Sequence, residues 1–226
     1  MSIAKKNAPG TRDMERINWI EFREWVPAKI QTVLLPLGTL EPHGVAPNGT
    51  DILAPVAMAR EIAPRVNAMV APAVPYGFTG ILDAYPGSFT IPEDAFRGYV
   101  RAVLAGLAKN KFKNIILLNG HGGGQTAVLS ALAQEVGRDT GTRILVVNWW
   151  SYCSDVTLDV FGEDGGHGGK MRPHTSWPSI PLSFRESVTI LKWRLRFRRP
   201  IRGARIPFHR PSGSTTKARV IRNLIR

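Results

Sequence analysis

The chain has 226 residues, 43% of them hydrophobic, which suits one sizeable domain with a real core and excludes wholesale disorder. Its net charge of +13 is unevenly placed: 15 of the 30 Lys/Arg but one of the 17 acidic residues lie in 170–226, leaving a body at −1 and a tail at +14. A lone cysteine (Cys153) excludes an internal disulfide, the N-terminus has no apolar run behind its two lysines, and no stretch has the length of a membrane span, so a cytoplasmic protein is expected.

In chain order, the short apolar run 30–37 reads as a buried strand. Asp51 reads as the N-cap of a helix over 52–66. Residues 68–74 read as a second strand, ended by Pro72 and Pro75. Thr90-Ile-Pro-Glu93 resembles a capping box and opens a helix to about Lys109. Asn114–Leu118 is a third strand, 125–139 a helix and Thr142–Asn148 a fourth strand. Strands alternating with helices predict an α/β fold with a mostly parallel sheet, whose chemistry gathers at the carboxyl ends of the strands. The body is taken as 1–169, and the tail from Lys170 to Arg226 as disordered or out of frame.

Three clusters lie just past strand ends. Glu41 and His43 are two residues apart, so an extended segment points both to one side, and Asp51 follows within eleven residues. Carboxylate, imidazole and carboxylate at this spacing suit Zn²⁺ or Mn²⁺. Asp51 alone reads better as a simple cap. The second cluster displays His121 among glycines, Asn119-Gly-His121-Gly-Gly-Gly124. A phosphate loop is the weaker reading, because no Lys-Ser/Thr follows. The third sets His167 in Asp164-Gly-Gly-His167-Gly-Gly169. Tyr76 and Phe78, with Trp149 and Trp150, are either pocket-lining or core aromatics.

These stretches resemble the creatininase (creatinine amidohydrolase) family. The resemblance runs through Leu35-Pro-Leu-Gly-Thr-Leu-Glu41-Pro-His43-Gly, Gly49-Thr-Asp51, Pro75-Tyr-Gly-Phe78, Tyr85-Pro-Gly87, Asn119-Gly-His-Gly-Gly123 and Gly166-His167-Gly-Gly. It implies a three-layer α/β/α fold, usually oligomeric, with two divalent metals (zinc, manganese or iron) bridged by a hydroxide. Carried over by motif, Glu41 and His121 hold one metal, His43 the other, and Asp51 bridges them. His167 is the general acid/base. The implied reaction is hydrolysis of a small-molecule amide at a non-peptide C–N bond, such as a cyclic amide or formamide.

The departure comes at Lys170. Where the family reads His-Ala/Gly-Gly-Glu-x-Glu-Thr, this chain reads His167-Gly-Gly-Lys170-Met-Arg-Pro-His174. A lysine there removes an oxygen ligand and brings a cation toward a dication, so the second metal is expected to bind poorly and activity to be impaired. A reading-frame shift near Gly169 accounts for both the lost motif and the charge break: an alternative frame through the same codons can spell Glu-x-Glu-Thr. The rival reading is an inactive family member whose tail binds polyanions such as nucleic acid. In Leu191–Arg199 apolar and basic residues alternate, a pattern that can grip phosphates and stack bases.

Overall fold

The computed structural model describes residues 9–44, 46–155 and 158. Among them a four-stranded parallel sheet is built from β1 (Thr32–Leu37), β2 (Ala68–Val70), β3 (Asn114–Asn119) and β4 (Arg143–Asn148). The spatial order is β2-β1-β3-β4. β1 and β3 pair along their whole length, Thr32 with Asn114 through Leu37 with Asn119, and every residue of both is buried. This is why both read as continuous apolar runs: central parallel strands are covered on both faces.

Five α-helices among the described residues surround the sheet: α1 (Trp19–Trp25), α2 (Thr50–Ile62), α3 (Glu93–Lys109), α4 (Gly123–Thr140) and α5 (Trp149–Tyr152). α2 carries the chain from β1 outward to β2. α3 brings it back past β1 to β3, and α4 continues to β4. Right-handed crossovers that reverse direction place their helices on opposite faces. Strand side chains divide accordingly. Val33, Leu35, Ile115 and Leu117 join Phe96, Val100, Leu104, Leu129 and Leu132 in the larger core beneath α3 and α4. Leu34, Ile116 and Leu118 pack with Ala59 of α2 and Ala63 just past its end in the smaller one. Each fully buried large side chain contributes about 1.5–3 kcal/mol. The expected α/β/α layering is therefore found.

Several local readings are corrected. Asp51 is not an N-cap: α2 starts at Thr50 after Gly49, which puts Asp51 inside the first turn, and the helix ends at Ile62. β2 stops at Val70, and only an isolated bridge from Leu37 to Val74 continues it, since Pro72 offers no N–H to a ladder. The Thr90–Glu93 box does not form. Pro92 precedes α3 without a side-chain cap, and the Thr90 hydroxyl accepts instead from the Thr79 amide. A reciprocal box forms at α1 instead: Asn18 accepts from the Ile20 and Glu21 amides while Glu21 accepts from the Asn18 amide. Among the described residues β4 is an edge, so its apolar Ile144–Val147 run is only half buried. No helix among the described residues is long and apolar enough to cross a membrane. The 1–169 boundary, His167, Lys170 and the basic tail lie outside the described residues.

Candidate metal centre

The sheet reverses its winding between β1 and β3, and at such a switch point two neighbouring loops leave in opposite directions and open a crevice. The loop after β1 carries Glu41 and His43; the loop after β3 carries His121. The first turn of α2 adds Asp51 between them. Its backbone is drawn in tightly: a Cβ on Gly38 would sit 2.2 Å from the Asp51 carbonyl oxygen, and one on Gly120 only 1.8 Å. Glycine at these two positions lets both strand-end loops close onto the start of α2.

Four side chains meet there. His43 Nε2 lies 2.9 Å from Asp51 Oδ1 and 3.8 Å from Glu41 Oε1. His121 Nδ1 lies 3.1 Å from Asp51 Oδ2 and 3.0 Å from Glu41 Oε1. Asp51 thus turns one oxygen to each imidazole. One ligand atom each from Glu41, His43 and Asp51 fall within 4.8 Å of one another, compact enough to share a cation. Glu41 is fully buried, and Asp51 and His121 are almost so.

The far nitrogens of both rings are committed to backbone carbonyls. His43 Nδ1 donates to the Glu41 carbonyl at 3.0 Å, and His121 Nε2 to that of Phe78 at 3.1 Å. A carbonyl can only accept, so each of these nitrogens carries the proton in the neutral ring. The lone pairs at His43 Nε2 and His121 Nδ1 are then left facing the carboxylates. Histidines that ligate metals are oriented in this way. Two carboxylates and two imidazoles with fixed tautomers fit a divalent ion of the zinc or manganese type.

Without an ion the carboxylates favour the protonated form of both imidazoles. For His121, burial alone would lower the pKa; hydrogen bonds and charge from Asp51 and Glu41 outweigh it and push it up to about 9. For His43, burial opposes and Asp51 prevails, raising it. Burial of Asp51 is in turn outweighed by its bonds to His121 and His43, which depress its carboxyl.

Of the expected site residues, Glu41, His43, Asp51 and His121 are brought together, and His167 lies outside the described residues. The aromatics split. Phe78 packs edge-to-face on the core Phe96 at 5.6 Å, though its carbonyl serves His121. Trp149 and Trp150 meet edge-to-face, and a Cβ on Gly122, beside His121, would lie 3.7 Å from the Trp150 ring. No side-chain signal marks the Phe78 carbonyl in the sequence, because the partner is backbone.

The family sequence model for creatininase, described as creatinine amidohydrolase, matches residues 15–173. Creatinine amidohydrolase of Pseudomonas putida is 27% identical over 172 residues, covering 68% of this chain and 66% of that enzyme. The mycofactocin precursor peptide peptidase of Mycolicibacterium smegmatis is 33% identical over 122 residues, half of this chain and 49% of its own. This chain therefore spans just under two thirds of the first relative and about half of the second. Among solved structures, creatinine amidohydrolase (creatininase) superposes with a TM-score of 0.68 at 20% identity, covering 83% of this chain and 95% of that one. A manganese creatininase gives 0.64 at 21% identity, with 80% and 93% covered.

Proposed function

The chain belongs to the creatininase family, and from that premise we propose that it is a metal-dependent amidohydrolase acting on a non-peptide C–N bond, a cyclic amide or a formamide. The observation that carries the reading is the paired tethering of His43 and His121, which fixes both tautomers with a lone pair toward Asp51 and Glu41.

Glu41, His121 and one Asp51 oxygen would hold one ion; His43 and the other Asp51 oxygen would hold a second. Divalent ions bound there supply Lewis acidity and lower the pKa of a coordinated water. The protein groups do the rest. Asp51 keeps the two imidazoles at fixed separation, and the buried carboxylates offset the positive charge they enclose. His167 would move a proton to the leaving nitrogen. With Lys170 following His167-Gly-Gly, a second ion would be held by fewer anionic groups than the first and would bind more weakly.

The test is hydrolysis of a panel of simple cyclic amides and formamides by the full chain loaded with Zn²⁺ or Mn²⁺. Turnover that disappears in Asp51→Asn supports the proposal. An ion-loaded chain that hydrolyses none of the panel rejects amide hydrolysis by this chain.

A further inference from the structure

His121 sits in a segment, Gly120-His121-Gly-Gly-Gly124, that by composition resists ordering. Glycine loses more conformational freedom than any other residue when it is fixed, so a histidine between glycines needs an outside restraint to hold one position. On the backbone, one side chain restrains both polar groups. Asn119, the last residue of β3, is fully buried, and its carboxamide brackets the His121 backbone. Nδ2 donates to the His121 carbonyl at 2.6 Å, and Oδ1 accepts from the His121 amide at 3.3 Å.

The carboxamide is itself held from the far side. Gln125, also fully buried, donates through Nε2 to Asn119 Oδ1 at 3.1 Å. Asn119 Nδ2 further reaches Asn148 Oδ1 at 2.8 Å, at the end of β4, and Thr126 Oγ1 at 3.1 Å, in the first turns of α4. A rigid strand end, a helix start and a neighbouring strand thus converge on one amide, and that amide fixes both backbone groups of His121. The Phe78 carbonyl fixes the ring, and Asn119 fixes the backbone that carries it.

We propose that Asn119 is a positioning residue for the metal centre, acting through His121, and that Gln125 orients it. This rests on the metal reading above. The experiment measures Zn²⁺ affinity of the full chain by competition with a chromophoric chelator, together with the visible spectrum of the Co²⁺ form. Asn119→Ala is expected to weaken affinity about 10- to 100-fold, the usual range for groups that orient a ligand, and to alter the Co²⁺ bands. Gln125→Ala frees one end of the amide without removing it. A smaller loss is expected there, about 3- to 10-fold, and this variant keeps the idea testable should Asn119→Ala not fold.

The control is Asn114→Ala. Asn114 is buried at the opposite end of the same strand and donates to Thr32 Oγ1 at 3.0 Å, far from the centre. It should destabilise the fold and leave Zn²⁺ affinity within about twofold of wild type, since it orients no ligand. An unchanged affinity and Co²⁺ spectrum in both Asn119→Ala and Gln125→Ala would overturn the proposal. So would an Asn114→Ala loss as large as that of Asn119→Ala. A wild-type chain that binds neither ion would overturn the metal reading first, and the clamp with it.

Discussion

Alanine at position 120 should dislodge Asp51 without touching any side chain of the centre. The new Cβ would lie 1.8 Å from the Asp51 carbonyl oxygen, 2.7 Å from its carbon and 2.9 Å from Pro55 Cγ. Real Cβ atoms essentially never approach within 3.0 Å, so the backbones at position 120 and at Asp51 must separate by at least 1.2 Å. Nothing flexible can yield, because two of the three contacts are backbone and the third is a proline ring. Overpacking of this kind costs about 1–3 kcal/mol. At about 2–4 °C per kcal/mol for a domain of this size, the unfolding midpoint should fall by about 2–12 °C. The larger effect is on the site, where a misplacement of about 1 Å can cost on the order of 100-fold in rate. Thermal unfolding of Gly120→Ala measures the first, and its Zn²⁺ titration together with its amide hydrolysis rate measures the second. A variant with the wild-type midpoint and wild-type affinity would refute the claim that β3's exit is packed on the Asp51 peptide.

Other outcomes follow from the same structure. Gly98 is exposed within α3, and a Cβ there would meet nothing within 4 Å, so Gly98→Ala should stabilise the chain by about 0.4–1 kcal/mol in chemical denaturation, and a loss would count against the helix there. Arg97 and Arg101 of α3 pair with Glu135 and Asp139 of α4 on a partly exposed face, so Glu135→Ala should cost only about 0.2–1 kcal/mol and less at high salt; a loss of several kcal/mol would mean that the network is less solvated than its exposure indicates. The His121 pKa is raised from 6.5 to about 9 in the ion-free fold. Its contribution to ion-free stability is therefore fully present below 6.5 and is lost as pH rises through about 9. Ion binding needs that proton gone, so Zn²⁺ affinity should rise over the same interval while the ion-free midpoint falls; an affinity that falls there would contradict the assignment of His121 Nδ1 as the facing atom.

The central sheet is legible in the sequence because β1 and β3 are buried on both faces and so carry uninterrupted apolar runs that no turn residue confuses. Their carboxyl ends are then the place to look for chemistry, and Glu41, His43 and His121 lie there. Asp51 is harder. Its place just before an apolar stretch is what a cap looks like, and only the earlier start of α2 at Thr50 frees its carboxylate to face two histidines. β2 is shorter than its apolar content suggests, because that content does not show where ladder bonds stop, whereas Pro72 does. α1 is short and only Trp25 of it is buried, so no apolar stripe draws attention to it, although Asn18-Trp-Ile-Glu21 carries a capping signature. Least legible are the Phe78 carbonyl and the Asn119 bracket. The first reaches His121 from 43 residues away through backbone, and the second depends on a strand end, a helix start and a neighbouring strand meeting at one amide.

Everything proposed for this site requires that its four side chains hold a divalent ion. Elemental analysis of the full chain after Zn²⁺ or Mn²⁺ loading and exhaustive dialysis decides this. At least one ion should remain per chain, lost in Asp51→Ala and in His121→Ala while the Asn114→Ala control keeps it. A wild-type chain that retains none, or an Asp51→Ala chain that retains as much as wild type, would contradict the metal assignment.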